Sequence, residues 1–232
     1  MDNHCLPEEE LSLEAPTTKY TSSASVAYSI PESDVVFRIA WYVVGSQPGM
    51  LLTNYHEAET KEFEGVVQFA GKIEDAPTTV RISVDGGKKK IELAAYSDNE
   101  SVLNDYVNGI SQFVKTSIDK YTDMDESETG RLRRALVAKT CWDRVIQLIL
   151  AKSDTSPIYY QVAHGREMMI KATEGDDIHP ITLSTSGWLS RIEKLPQDEK
   201  MPSDLATELA KKSVEWKRET QAFIEQYLSI SV

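Results

Sequence analysis

Cysteine is scarce in this 232-residue chain, which contains only Cys5 and Cys141. Two cysteines, one in a polar segment and one on an apolar stripe, cannot build the disulfide framework of a small secreted domain. Long hydrophobic runs are also missing, because the longest, at 35–45, is interrupted by Arg38 and is about half a membrane span. Residues 1–5 have neither a basic region nor an apolar run, which argues against a signal peptide. We therefore expect a cytoplasmic or nuclear protein without a membrane span.

Positive charge is the second shortage. The chain has 25 lysines and arginines against 37 acidic residues, a formal net charge of −12. Nucleic-acid backbones are held mainly by lysine and arginine, so this balance argues against generic nucleic-acid binding. It favours basic or polar partners instead. Considering the chain as a whole, we expect a protein partner or self-association.

Nucleotide-binding turns are missing as well. A phosphate-binding turn leads from a strand into a helix, whereas Gly86-Gly87 joins two predicted strands. The acidic segment 122–129 resembles a calcium loop only in part, because Glu128 and Arg134 stand where glycine and a bidentate glutamate are needed. A better explanation of its acidic residues is that they interact favourably with the positively polarised N-terminus of the helix that follows. We expect no cofactor and no metal.

The first half of the chain alternates apolar and polar residues with period two, as half-buried antiparallel strands do. The alternating segments lie at 37–43, 67–73, 80–84 and 91–95. Between the last two, Asp85-Gly86-Gly87-Lys88 supplies glycines for the positive φ of a tight hairpin. The pattern predicts an antiparallel β-meander over about 24–96.

The second half changes to a helical apolar period. Ser97 and Glu100 are spaced as a capping box, and Gly109 suggests close packing of the first helix. Gly165 separates two short apolar segments and predicts a further hairpin near 157–172, followed by turns over 173–203. The apolar stripes predict helices over about 98–121, 125–152 and 204–228.

These elements together predict an α+β fold, in which the N-terminal meander is packed by amphipathic helices. Residues 1–22 are rich in glutamate and threonine and predict a flexible acidic tail. Residues 23–232 then form a single domain, with a possible sub-boundary near 122–129.

The last predicted helix carries large apolar side chains along one seam. Such a seam packs on its own domain or inserts into a partner. Because catalytic signatures are missing, the sequence favours a non-enzymatic interaction or assembly protein, either an adaptor or a subunit of a larger complex. The candidate partner-binding residues are Leu209, Trp216, Phe223 and Tyr227.

Two basic groups stand out against the acidic background. They are Lys88, Lys89 and Lys90 at the hairpin, and Arg131, Arg133 and Arg134 at the second helix. The lysines can simply protect a strand edge, and the arginines can balance the acids upstream. If the two groups converged, they would form a candidate contact for nucleic acid or another anion, as in a self-associating viral or nucleoprotein-type structural protein.

A third hypothesis is a hydrolase that uses His164 or His179 with a nearby serine or carboxylate. Ser184 and Ser186 follow His179 closely enough to supply a hydroxyl. No histidine has a second histidine or cysteine at metal-ligand spacing, so zinc binding would need distant segments to converge.

Overall fold

The computed structural model describes residues 18–59, 62–101, 103–174 and 179–228. Over these residues the α+β class is confirmed, with an antiparallel sheet in the first half and mostly helices in the second. The strands are β1 (Tyr20–Ala27), β2 (Leu51–Glu59), β3 (Phe63–Ile73), β4 (Ala76–Asp85) and β5 (Lys90–Ser97). The helices are α1 (Ser33–Gly45), α2 (Leu103–Asp123), α3 (Glu126–Leu150), α4 (Thr155–Ala172), α5 (Pro180–Ile192) and α6 (Ser203–Leu228).

The sheet has the order β1-β5-β4-β3-β2. Strands β2 to β5 form the expected meander, while β1 pairs with β5 and α1 connects β1 to β2. Strand β1 begins at Tyr20, inside the segment predicted as a tail. The rest of that tail, residues 1–17, lies outside the described part of the chain.

The segment 37–43 is not a strand, so that prediction was wrong. It belongs to α1, where every residue from Val35 to Val44 except Arg38 is buried. A helix that is apolar on all sides contains every-other-residue matches by chance. Its burial between the sheet and α3 explains why period two was misleading there.

The β4–β5 hairpin is present, but its turn works differently from the prediction. The positive φ lies at Lys89 (φ 50°) and not at either glycine. Gly86 is needed for close approach instead, because a Cβ there would lie 2.7 Å from the carbonyl oxygen of Phe63. Glycine thus lets β3 and the turn come together.

The predicted capping box at Ser97 is also wrong. Ser97 ends β5 and donates its hydroxyl to the Pro77 carbonyl, and α2 begins only at Leu103. A capping box is present at the start of α3. The Asp125 carboxylate accepts the Glu128 backbone N–H, and the Glu128 carboxylate accepts the Asp125 backbone N–H. Gly109 does not pack closely, because a Cβ there would meet nothing within 4 Å.

The predicted hairpin near 157–172 is the helix α4, and the predicted turns contain α5. Gly165 is an interhelical contact, since a Cβ on it would lie 2.5 Å from the Trp142 ring. Small residues allow such close helix approach but also interrupt the apolar stripe, and this made a helix look like two short strands. His179 caps α5 by accepting the Ile181 backbone N–H.

Two groups of buried side chains fill the interior. One lies between the inner sheet face, α1 and α2, and the other lies among α3, α4, α5 and α6. Helix α3 takes part in both, through Leu136 in the first and Trp142 in the second. Across the described residues, none of the helices has the length and apolar character needed to cross a bilayer.

Candidate functional site

The outer face of the sheet has no described helix packed over its centre. In β4, Val80, Ile82 and Val84 are buried against the helices, so Arg81 and Ser83 point to the opposite, outer side. The strand register places Gln68 of β3 and the other outer residues beside them. We call this surface the outer face, made of Ser23, Ser25, Gln68, Thr79, Arg81, Ser83, Glu92, Ala94 and Tyr96.

Arg81 is at the centre of the outer face. In its cross-strand row it lies between Gln68 and Ala94, and Ala94 pairs in turn with Ser23. Among the described residues Arg81 has no hydrogen bond or ion pair, and its Nε is buried without a partner. The Nε2 atom of Gln68 is also buried and unpartnered. The Nε atoms of Arg38 and Arg144 are unpartnered in the same way. What distinguishes Arg81 is its place at the centre of a face that no described helix covers, with no ion pair to another described residue.

The side chains around Arg81 are short and bear hydroxyls. A shallow concavity of about 370 Å³ contains Arg81 together with Ser23, Ser25, Ser83 and Tyr96. At its rim, the Nζ of Lys90 lies 2.8 Å from a carboxylate oxygen of Glu92. Tyrosine and arginine are enriched at protein–protein interfaces, and the rim of an interface is polar and accessible to solvent. In the outer face, Arg81 and Tyr96 are the residues of the enriched types.

A buried ionic cluster lies on the opposite, helix-covered side of the sheet. Asp143 of α3 accepts hydrogen bonds from Trp41 Nε1 (2.9 Å), Lys139 Nζ (2.9 Å) and Lys217 Nζ (2.7 Å). The side chains of Lys139 and Asp143 are 0% and 2% exposed. These contacts join α1, α3 and α6 through one carboxylate.

The protonation of this cluster is set by burial and by pairing. Burial lowers the pKa of Lys139 to about 8, although the Asp143 carboxylate opposes the shift. Burial alone would raise the pKa of Asp143, but Lys139 and Lys217 together hold it below its usual value. The cluster therefore keeps a carboxylate charged in the interior, at the cost of a less basic lysine.

A second ionic group lies beside the first. Glu57 of β2 binds both Arg38 of α1 and Arg144 of α3, and Arg38 also donates to the Thr140 hydroxyl. The Arg144 guanidinium lies 4.1 Å from the centroid of the Tyr55 ring. Because these groups are enclosed by α1, β2 and α3, they fix the packing of those elements.

The predicted C-terminal seam packs inside the chain. Leu209, Trp216 and Phe223 are buried, and Tyr227 is half-buried. Trp216 packs on Trp142 with 5.2 Å between ring centroids, and its indole N–H donates to Ser184. These contacts account for the apolar seam, and partner docking on it stays a prediction.

One residue from each predicted basic group contacts the same short segment, residues 31–34, at the start of α1. Lys89 Nζ donates to the Pro31 carbonyl and the Ser33 hydroxyl, and Arg133 lies 3.3 Å from the Asp34 carboxylate. The four other members also bond within the chain, Lys88 to Asp85, Lys90 to Glu92, Arg131 to the Ala172 carbonyl, and Arg134 to the Lys171 carbonyl. Lys89 and Arg133 thus help to hold the start of α1, and Arg131 and Arg134 help to hold α3 against the end of α4.

The two histidines of the hydrolase hypothesis make other contacts, and His179 caps α5 as described above. His164 stacks on Tyr160, and burial lowers its pKa although Glu167 opposes the shift. Ser186 accepts from Arg166 and Ser184 accepts from Trp216, so both hydroxyls bond elsewhere. Within the described ranges there is no cluster of potential metal ligands.

No family model, curated protein or solved structure matches the chain. The candidate site is therefore defined by geometry. Sequence reasoning missed Arg81, although the alternation that buried Val80, Ile82 and Val84 already placed it on the opposite face of its strand. The sequence alone does not show that the described helices in contact with the sheet pack on its other face.

Proposed function

We propose that this chain is a non-enzymatic interaction protein, an adaptor or a subunit of a larger complex, and that the outer face is its docking surface. The observation that carries the proposal is Arg81, a guanidinium at the centre of the outer face that makes no hydrogen bond or ion pair with another described residue. The Glu92 carboxylate is near enough to feel its charge but does not bind it. Small hydroxyl side chains around it leave room for another protein to approach.

The partner group that fits Arg81 is a carboxylate. A guanidinium binds a carboxylate through two parallel hydrogen bonds, and the surrounding serine and tyrosine hydroxyls can bond to the same segment of the partner. Arginine and tyrosine are also the residue types that most often carry the binding energy of an interface. An acidic side chain of the partner would satisfy Arg81 and release the cost of its unpartnered donor.

The proposed interaction takes place in the cytoplasm or nucleus. Cys141 is buried and unbonded, and burial raises the pKa of its thiol to about 12. An inert thiol of this kind is compatible with a reducing compartment.

The experiment compares four versions of the 232-residue chain as baits: the wild type, Arg81→Glu, Ser83→Arg, and the control Arg218→Glu on the exposed surface of α6. Proteins captured by the wild type and by Arg218→Glu, but lost with Arg81→Glu, are purified and tested for direct binding. If the captured set is unchanged by Arg81→Glu and by the bulky substitution Ser83→Arg, the outer face is not the docking surface.

The alternative function is nucleic-acid binding through the hairpin lysines and the α3 arginines. Its support is that Lys89 and Arg133 both contact the start of α1, at Pro31 to Asp34. Binding of single- or double-stranded oligonucleotides should then weaken steeply with salt and should be lost when both side chains are neutralised. Absence of binding at low salt rejects this alternative.

A further inference from the structure

The chain itself contains acidic residues that complement Arg81. Residues 1–17 precede the described part of the chain, and we call them the N-terminal segment. This segment contains five acidic residues and no lysine or arginine. Three of the acids are consecutive, at Glu8, Glu9 and Glu10. The N-terminal segment therefore has the charge opposite to that of the guanidinium at the centre of the outer face.

The concavity around Arg81 favours an acidic ligand. Its lining contains two positive side chains, Arg81 and Lys90, and one negative side chain, Glu92. Lys90 and Glu92 bind each other at 2.8 Å, which leaves Arg81 without an ion pair to another described residue. The hydroxyls of Ser25 and Tyr96 also line the concavity and can donate hydrogen bonds. A carboxylate that enters it meets a guanidinium and hydroxyl donors together.

The chain enters the described structure close to the outer face. Strand β1 begins at Tyr20, which lies opposite Ser97 of β5, and Ser97 lies opposite Thr78 of β4. Arg81 is therefore two strands across from the start of β1 and three residues along β4 from Thr78. With strands about 4.8 Å apart and a rise of about 3.4 Å per residue, the path from Tyr20 to Arg81 is about 14 Å.

The N-terminal segment is long enough to cover this path. Lys19 donates its backbone N–H to the Asp98 carboxylate at 3.1 Å, which fixes the point from which the segment starts. Glu10 precedes Lys19 by nine residues, which span at most about 30 Å. Glu14 precedes it by five residues, which span at most about 17 Å, so Arg81 lies near the limit of its reach. The run Glu8–Glu10 therefore reaches Arg81 with length to spare.

We propose that the N-terminal segment folds back over the outer face and that the run Glu8–Glu10 binds Arg81, so that the chain covers its own docking surface. The inference rests on the proposed function, because the run competes with the carboxylate of a partner for the same guanidinium. A tether raises the local concentration of the run around Arg81, so a partner has to displace it.

The test uses Cys5, which lies three residues before Glu8, as the attachment point for a nitroxide. The other cysteine, Cys141, is buried, and burial raises the pKa of its thiol to about 12, so the wild-type chain reacts at Cys5. A nitroxide broadens the NMR signals of nearby amides. We expect the amides of Gln68 and Ala94, which lie opposite Arg81, to lose intensity relative to the chain with reduced nitroxide. The amides of α5, which packs on α4 and α6, should keep theirs.

Two variants each remove one side of the contact: Arg81→Gln and Glu8→Gln/Glu9→Gln/Glu10→Gln. Two controls make the same charge changes at exposed positions outside the sheet: Arg218→Gln and Glu193→Gln/Glu199→Gln/Glu219→Gln. The loss of intensity should disappear in both variants and persist in both controls. If Arg81→Gln alters the amide signals of the helices, the triple glutamine variant of the N-terminal segment decides alone. No loss of intensity in the wild type, or a loss that survives removal of the contact, overturns the proposal.

A mixture separates binding within one chain from binding between copies. It contains isotope-labelled chain without a nitroxide and unlabelled chain with the nitroxide. We expect the signals of Gln68 and Ala94 to keep their intensity in this mixture. A loss there would show contact between copies and would overturn the proposal.

The capture experiment distinguishes a failure of this inference from a failure of the proposed function. The triple glutamine variant of the N-terminal segment should capture more partner than the wild type, because the competitor of the partner is weakened. Unchanged capture, together with the loss of intensity at Ala94, would show that the segment binds Arg81 but that the outer face is not the docking surface. Capture that depends on Arg81, without any loss of intensity, would contradict only the contact with the N-terminal segment.

Discussion

At the scale of single residues, Asp143 is the most constrained side chain of the interior. It accepts hydrogen bonds from Trp41, Lys139 and Lys217, which come from three different helices. A buried charge is tolerated only when it is paired in this way, and each donor depends on the same acceptor. Loss of the carboxylate therefore leaves Lys139 charged or unpaired inside the protein.

We expect Asp143→Asn to lower the free energy of unfolding by about 3–5 kcal/mol, the usual cost of breaking a buried ion pair from one side. Urea unfolding followed by circular dichroism measures this change. The matched control is Asp119→Asn on the exposed surface of α2, which should change stability by less than about 0.5 kcal/mol. Equal effects for the two variants would contradict the role given to Asp143.

The lowered pKa of Lys139 predicts how the stability of the protein changes with pH. Its pKa is lowered to about 8 in the folded chain, from an ordinary value of 10.5. Between these values the unfolded chain binds more protons at this lysine, so its contribution to the free energy of unfolding rises with pH. The wild type should therefore gain stability relative to Lys139→Met as the pH is raised from 8 to 9.

Urea unfolding of both proteins at several pH values in this window measures the difference. The raised pKa of Cys141 makes the free energy of unfolding fall with pH above about pH 9. Both proteins contain Cys141, so this contribution cancels in the difference between them. A constant difference between wild type and Lys139→Met across the window would show that Lys139 keeps an ordinary pKa.

At the scale of elements, the sequence predicted those whose surroundings are ordinary. The alternation in β3, β4 and β5 and the stripes of α2, α3 and α6 each have one buried side, so their periods could be read directly. The failures include α1, which is buried on all sides, and α4, whose Gly165 interrupts the stripe. Helix α5 in the predicted turns and the start of β1 in the predicted tail were also missed. In α1 and α4, contact with a distant element determined the local structure, and a single sequence does not contain that contact.

Gly165 and Gly109 form a matched pair for testing helix packing. Gly165→Ala should destabilise the protein by about 1–3 kcal/mol, because the added methyl group overlaps the Trp142 ring. Gly109→Ala should stabilise it by about 1 kcal/mol, since its surroundings are open and alanine favours a helix. Thermal and urea unfolding check both signs, and a stabilising Gly165→Ala would refute the close packing of α4 on α3.

At the scale of the whole molecule, the two faces of the sheet have different surroundings. The inner face is covered by α1 and α2, and the ionic groups behind it hold α1, β2, α3 and α6 together. The outer face keeps Arg81 among short hydroxyl side chains. The sequence predicted strands β3, β4 and β5 of this surface, but not the beginning of β1 and not the proposed site, because the site depends on which side the described helices leave open.

The proposed function therefore depends on Arg81 more than on any other residue. The deciding measurement is the dissociation constant of the purified chain with a partner identified by the capture experiment, determined by isothermal titration calorimetry. We predict that Arg81→Glu weakens binding at least about 30-fold, as expected of a central interface arginine, while Arg218→Glu leaves it unchanged. Equal dissociation constants for the wild type and Arg81→Glu would contradict the assignment of the outer face as the docking surface.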